Sequence, residues 1–553
     1  MLEGCTAWPE EFAARYRICG YWEDKTLAET LSLSISKHLS KEALVYGELR
    51  LTYKQLGTII DRLAYQFIKT GLKPLERVVI QLPNSPDFIF TYFALVKIGV
   101  IPVLALPPHR RTEISHFIAR SGAVGYFIQD FFNKFDYADM AKKIQKEQPQ
   151  LKYVFVKGQA YAPFISINEL LAEPVTDMEA VRGTLAKYRP DPGEVAVMLL
   201  SGGTTALPKL IPRTHNDYVY TSKQAGTHSG ICEDTVLLAA LTMAHNYTLA
   251  CPGLQSVLFK GGKVVISPSV DTETIFSLVE KEKVTIIPAA GPLIFNWLNS
   301  DVPGKNDLSS LQVIQNGGSK LAPELRKQLR EKFGCIPQEN FGTGEGLVNL
   351  TRHDDPDDIL FYSSGKPISE ADEIKIIDDR GNEVPDGTPG ELVVRGPNTI
   401  RGYYNAPEVN ANAFTPDGFY RMGDECSKNS NNYIFCEGRK KDLINRGGEK
   451  ISCEEIENLI FTLPKVKSVS LVAMPDEIYG EKACAFVVLK PGEKLTFEEL
   501  IRHLMKTNIA KFKLPERLEL VDEFPLSPAG KILKRTLREM IAQKISRENE
   551  AAI

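Results

Sequence analysis

The first stretch able to do chemistry is Ser201-Gly202-Gly203-Thr204-Thr205-Ala206-Leu207-Pro208-Lys209, a run of glycines and hydroxyls closed by a cation. Glycines let backbone N–H groups converge, hydroxyls add donors and a lysine supplies charge, so such a loop can wrap phosphate oxygens. It is not a Walker A loop, because the GxxxxGK[ST] spacing is missing, and taken alone it reads equally well as a surface turn. Further reactive segments follow in order: Met243-Ala244-His245-Asn246-Tyr247, Gln315-Asn316-Gly317-Gly318, and Asn340-Phe341-Gly342-Thr343-Gly344-Glu345-Gly346. After them come Tyr420-Arg421-Met422-Gly423-Asp424, Glu437-Gly438-Arg439-Lys440-Lys441-Asp442, Asn445-Arg446-Gly447-Gly448-Glu449-Lys450 and Pro525 to Lys531. Each has a plain structural reading by itself. Asp424 or Arg439 would be a surface ion pair, Phe341 ordinary core, Asn246 a turn cap, and Lys531 a solvated lysine in a basic stretch with Lys534 and Arg535.

These segments need elements to hold them. The first two thirds alternate β-branched runs with helical ones, as in Val78 to Leu82, Pro86 to Val96, then Val103 to Leu106, which is the α/β rhythm. Val195 to Leu200, Val264 to Ile266 and Val284 to Ile287 read as later strands, each ending at Gly, Pro or Ser, where such folds carry ligand loops. From about Ser363 short strands and Gly/Pro turns predict a β-rich subdomain. A boundary near Lys441 divides a large N-terminal unit, 1–440, from a small α+β unit, 441–553. In the small unit the pattern predicts helix over Glu454 to Phe461, strands over Ser468 to Val472 and Ala483 to Val488, helix over Phe497 to Met505, and a strand near Arg517 to Val521. Residues 547–553 read as frayed.

At 553 residues the chain is too long for a small binding module, and 43% hydrophobic content with 25% charged excludes disorder. Sixty-six Lys and Arg against 70 Asp and Glu give no basic field to draw nucleic acid. Nine cysteines without CxxC spacing argue against a disulfide framework and, with no basic lead into an apolar run at Met1 to Cys5, favour the cytoplasm. Phe88 to Pro107 approaches membrane-spanning length, but Gly99 and Pro102 interrupt it, so it reads as a buried helix followed by a buried strand, with no membrane partner.

Taken together, in this order and over nearly the whole chain, the reactive segments resemble the adenylate-forming superfamily of acyl-CoA ligases, peptide-synthetase adenylation domains and luciferases. Within it, Leu210 to His215, His245-Asn246-Tyr247, Glu345 to Asn349 and Ile444 to Lys450 resemble the stand-alone aryl acid adenylating enzymes that supply siderophore assembly. The resemblance implies that ATP and a carboxylate form an acyl-AMP with release of pyrophosphate, after which the acyl group passes to a thiol. Lys531 matches the lysine between carboxylate and α-phosphate, an electrostatic clamp. Glu345 corresponds to the Mg²⁺ ligand. Asp424 corresponds to the acceptor of both ribose hydroxyls, with Arg439 as a second ribose or phosphate contact. Ser201, Gly202, Gly203, Thr204, Thr205 and Lys209 would cradle phosphate; adenine would lie against Phe341 with polar contacts from Asn340 and the backbone near Gly317 and Gly318, and Gly342 and Thr343 are further expected ATP contacts. Asn316, Ser319 and Thr343-Gly344 depart from the commonest aryl-acid pattern. Lys441 matches a hinge about which a mobile C-terminal domain turns, first to deliver Lys531 and then to present Gly447, Gly448, Glu449 and Lys450 to the acceptor thiol.

The resemblance also bears on which acid is used. Amino-acid-activating relatives carry an aspartate where Asn246 stands; an amide suits a phenolic hydroxyl instead, and Tyr247 can pack on a flat ring. His245 is expected to flank the carboxylate or gate its entry. Gly317, Cys251 and Val348 complete the expected aryl-acid pocket. Cysteine at 251 is the salicylate pattern and valine at 348 the 2,3-dihydroxybenzoate pattern. General similarity favours 2,3-dihydroxybenzoate, with salicylate as the alternative. The implied partner is an aryl carrier protein bearing a phosphopantetheine arm; an aryl-CoA ligase, or a non-catalytic nucleotide-binding protein, are the competing readings.

Overall fold

The computed structural model describes residues 1–175, 177–201, 208–447, 449–476, 478–507, 509–527 and 531–551. Gly202, Gly203, Thr204, Thr205 and Gly448, expected in the phosphate and thiol-transfer loops, lie outside the described residues.

Two large sheets dominate. One has seven strands in the spatial order Leu210–Thr214, Val195–Leu200, Ile101–Leu104, Arg77–Gln81, Gly125–Gln129, Tyr153–Lys157, Ile165–Ser166. Its interior pairs are parallel, and only the edge pair of Val195–Leu200 with Leu210–Thr214 is antiparallel. The other has nine strands, with a parallel centre that includes Ile286–Ala289, Val313–Gly317 and Ile336–Thr343 and an antiparallel edge at Gly346–Leu350. One apolar cluster joins side chains of both sheets, such as Ile80 and Val264, to the helices Tyr53–Lys69 and Pro86–Lys97. Parallel sheets need cover on both faces, which explains why Pro86–Lys97 is buried along almost its whole length. That helix and the strand Ile101–Leu104 are the apolar stretch of the sequence, and no helix among the described residues is long and apolar enough to cross a membrane.

The predicted β-rich segment is a four-stranded antiparallel sheet, Glu373–Ile377, Gly390–Arg395, Tyr420–Lys428 and Ile434–Arg439. A small C-terminal domain follows. There Gly480–Leu489 pairs antiparallel with Val466–Asp476 and parallel with Arg517–Leu520, and the hairpin Ile444–Arg446 with Glu449–Ile451 joins the same sheet.

Several boundaries differ from the sequence reading; the strand expected at Ser468 to Val472, for example, runs over Val466–Asp476, and that expected at Ala483 to Val488 over Gly480–Leu489. The strands expected at Val103 to Leu106 and Val284 to Ile287 run over Ile101–Leu104 and Ile286–Ala289, because runs that are apolar throughout carry no alternation to set their ends. The expected fraying of 547–553 is overturned as far as 551 by a helix, Lys534–Ala551; residues 552 and 553 lie outside the described residues. Arg517 holds Glu548 at 2.6 Å, and Leu537 and Ile541 are buried against Val472 and Phe486. So few apolar anchors in a polar segment leave little periodic signal.

Candidate active site

The parallel strands of the nine-stranded sheet end where chemistry was expected. Gly317 closes Val313–Gly317, and a Cβ there would lie 2.7 Å from the Tyr247 ring, so only glycine lets the ring pack so close. Tyr247 Oη donates to Gln315 O at 2.9 Å, fixing the ring's far end. His245 caps the short helix Asn246–Ala250, its Nδ1 accepting from Tyr247 N at 3.3 Å. Asn246 Oδ1 accepts from Tyr218 Oη at 2.8 Å. Cys251 ends the same helix, and burial pushes its thiol up to about 12, so it remains protonated. The Asn340 amide donates to Cys251 O, tying a residue expected near adenine to the wall of the aryl-acid pocket. Val348 is buried in the same apolar cluster as Cys251. His245, Asn246, Tyr247, Cys251, Gly317 and Val348 are therefore brought to one end of the sheet.

The next group forms around Tyr403. Gly346 adopts φ +135°, and a Cβ would meet Thr399 Cα at 2.4 Å. This turn directs Glu345 inward, where Tyr403 Oη donates to its Oε1 at 2.7 Å. Lys209 Nζ stands 4.3 Å from the centroid of the Tyr403 ring, so Lys209 and Glu345 meet at one tyrosine. Backbone N–H of Ser201 donates to Lys209 O at 3.0 Å, and Lys209 N donates to Ser201 Oγ at 2.9 Å, pinching together the ends of the glycine-rich loop. Thr343 Oγ1 donates to Gly346 O at 2.9 Å, Phe341 packs half-buried on the core, Gly342 is exposed, and Gly318 takes φ +92° beyond its strand.

Asp424 and Arg439 face each other on neighbouring strands, Arg439 Nε lying 3.0 Å from Asp424 Oδ1. Asp424 Oδ2 is buried without a hydrogen-bond partner among the described residues. Burial raises this carboxyl to about 6, against the lowering pull of Arg439 and Lys531. Lys531 enters from the C-terminal domain on a turn where its N donates to Ser527 Oγ at 3.1 Å. Lys531 is exposed overall, but desolvation by its neighbours and the charge of Arg439 push its pKa down, while Asp424 and Glu345 pull it up. His245 is exposed, yet desolvation by the surrounding groups and the Lys531 charge lower its imidazole to about 4, hence neutral near pH 7. One cleft thus gathers Lys531, His245, Glu345, Asp424 and Arg439 from segments far apart in the chain.

Lys441 lies in the short turn Lys440–Asp442, Gly447 N donates to Tyr479 O at 2.9 Å, and Glu449 and Lys450 lie on the strand of their own hairpin. Three residues that sequence reasoning missed also matter. Tyr403 and Tyr218 hold Glu345 and Asn246, and Arg213 donates to Gly344 O at 2.9 Å and Asn398 O at 3.1 Å, buttressing the Glu345 turn. The only available signal was Arg213 four residues before Asp217 across a Thr helix start.

A large α/β domain closed by a small C-terminal domain, with a lysine of the small domain entering a cleft lined by buried acids of the large one, defines a two-domain enzyme. The AMP-binding enzyme model matches residues 32–404 and the AMP-binding enzyme C-terminal domain model matches 455–531; the chain belongs to the AMP-binding enzyme family. It is 43% identical to 2,3-dihydroxybenzoate-AMP ligase of Bacillus subtilis over 99% of both chains. It is 40% identical to a salicylyl-CoA synthase / salicylate adenylyltransferase of Streptomyces over 98% of both. Among solved structures, the apo structure of Mycobacterium smegmatis MbtA superposes with TM-score 0.72 at 36% identity, covering 97% of this chain and 98% of that one.

Proposed function

We propose that the protein activates 2,3-dihydroxybenzoate with ATP to the aryl-AMP, releasing pyrophosphate, and then transfers the aryl group to the phosphopantetheine thiol of an aryl carrier protein in siderophore assembly. The observation that carries this reading is the placement of Lys531 in one cleft with Glu345, Asp424 and His245, next to the Asn246, Tyr247 and Cys251 wall.

In the first half-reaction the substrate carboxylate attacks the α-phosphorus and the bond to pyrophosphate breaks. Two anions must approach, and in this reading the Lys531 ammonium, which interacts with Asp424 and Glu345, lowers that repulsion. The buried, unpartnered Asp424 Oδ2 is an acceptor suited to a ribose hydroxyl. Arg439 holds the other carboxylate oxygen, and Ser201 and Lys209 anchor the loop for phosphate. Among the described residues no group of three or more His, Cys, Asp and Glu is arranged as a metal cage. Glu345 alone suits Mg²⁺, which is held by one or two carboxylates plus substrate phosphates and neutralises their charge. His245, neutral and with Nδ1 engaged, can turn an N–H toward the substrate carboxylate. In the second half-reaction a thiolate displaces AMP from the aryl carbonyl. The domain division 1–440 and 441–553, with a hinge at Lys441 and the Gly447 to Lys450 loop serving the thiol, is the conformational part of this proposal.

Carboxylate-dependent exchange of labelled pyrophosphate into ATP, run with benzoate, salicylate, 2,3-dihydroxybenzoate and amino and fatty acids, tests the reading. Strong exchange with a hydroxybenzoate is expected; exchange with none of these acids defeats it. Cys251 favours salicylate as the second reading, since a thiol is a weaker partner than a hydroxyl for a 3-hydroxyl group. Cys251→Ser is expected to raise the kcat/KM ratio of 2,3-dihydroxybenzoate over salicylate by about three- to tenfold. An unchanged ratio would remove Cys251 from the pocket.

A further inference from the structure

Tyr218 belongs to none of the reactive segments, yet it controls one of them. It is fully buried on the helix His215–His228, and its hydroxyl donates to Asn246 Oδ1 at 2.8 Å. The guanidinium of Arg213 lies 4.9 Å from its ring centroid, and Arg213 is in turn held by Asp217 at 2.7 Å, so the phenol has no freedom to swing. Burial raises the phenol far above its ordinary range, so it stays a donor at every working pH.

A phenol can donate or accept, but Asn246 Oδ1 is the acceptor that this buried hydroxyl hydrogen reaches among the described residues, so the phenol fixes which end of the amide faces it. With Oδ1 occupied, Asn246 has only its Nδ2 hydrogens to present. An amide turned the other way would bring its N–H to the phenol oxygen and leave the buried phenol hydrogen without an acceptor.

The inference rests on the proposed hydroxybenzoate reading. An ortho-hydroxyl donates to its own carboxylate, leaving lone pairs facing outward, which an N–H complements. An ortho-amino group bonds inward with one hydrogen and keeps the other facing outward, where it would meet the amide N–H. We propose that Tyr218 is a positioning residue that locks the Asn246 amide with its N–H toward the ring, making the pocket select 2-hydroxybenzoates over 2-aminobenzoates.

The test is pyrophosphate exchange with salicylate and 2-aminobenzoate in the parent, Tyr218→Phe, Asn246→Leu and the double variant. A ratio of kcat/KM values cancels any loss of folded enzyme. In Tyr218→Phe the hydroxy-to-amino ratio is expected to fall roughly tenfold, the worth of one good hydrogen bond, through KM rather than kcat. In the Asn246→Leu background the same change should do nothing further. An unchanged ratio in Tyr218→Phe, or an equal fall in both backgrounds, overturns the inference while leaving aryl acid activation intact. Absence of exchange with any hydroxybenzoate in the parent defeats the underlying reading instead. If Tyr218→Phe does not accumulate, Asn246→Asp asks the same question with Tyr218 in place. It turns an acceptor outward and should move the ratio toward 2-aminobenzoate, and a ratio that stays put counts against the lock.

Discussion

Replacing Lys531 with alanine is expected to lower aryl-AMP formation by on the order of 10²- to 10³-fold, the scale for removing one group aimed at developing transition-state charge. ATP affinity should stay within about threefold of the parent, because a contact made mainly in the transition state costs rate rather than ground-state binding. The geometry supports this split. Asp424, Arg439, Glu345 and Lys209 all lie on the large domain, and Lys531 alone among the expected ATP contacts comes from the small one. Removing it leaves the other expected contacts standing. It also predicts an asymmetry between the half-reactions: supplied with preformed aryl-AMP, Lys531→Ala should pass the aryl group to the acceptor thiol at close to the parental rate. Exchange kinetics, equilibrium ATP binding and single-turnover transfer check the three parts. Equal loss of ATP affinity, or equal loss in thiol transfer, would defeat the assignment.

What could be read before the fold was known divides along a physical line. Alternation of β-branched strands with amphipathic helices reports local burial, so Val195–Leu200 and Phe497–Met505 were legible to the residue. The helix Lys534–Ala551 was not, because two buried anchors, Leu537 and Ile541, and an ion pair to Arg517 are what settle it on its sheet. The site shows the same division. Lys531, Glu345, Asp424 and His245 were singled out through the family resemblance of the segments around them, not by residue type alone. Tyr218, Tyr403 and Arg213 act through which atom each one faces, Asn246 Oδ1, Glu345 Oε1 and Gly344 O, and no spacing in the chain encodes those pairings. Asn340 makes the same point. The resemblance suggested adenine, and the fold adds a contact that no spacing encodes, its amide donating to the carbonyl of Cys251.

Arg213→Ala is expected to be the most destabilising single change of these, because it strands a carboxylate in the core. Arg213 and Asp217 are both essentially inaccessible, 1% and 0% exposed, with Nε 2.7 Å from Oδ1. Asp217 also closes a capping box, its Oδ2 accepting from Thr214 N at 2.7 Å, so it cannot turn to solvent without uncapping the helix. Breaking a buried pair by removing one partner costs about 3–5 kcal/mol, most of it the uncompensated charge. The sign of the pH dependence identifies that cause. Burial already raises Asp217 above its ordinary value, and losing Arg213 removes the main opposing influence, so its folded-state pKa rises further. A carboxyl with a raised folded-state pKa takes up a proton on folding as pH falls below that value, so the variant regains stability on acidification down to the ordinary carboxylate range. Urea unfolding at about pH 7.5 and about pH 5 should therefore show the deficit shrinking at the lower pH, and Asp217→Asn added to Arg213→Ala should recover part of it at the higher. A loss under about 1 kcal/mol, or a loss independent of pH, would mean the pair is not the buried support it resembles. Because Arg213 also holds Gly344 O and Asn398 O, the surviving folded fraction should show a lower kcat, with the Glu345 turn no longer fixed.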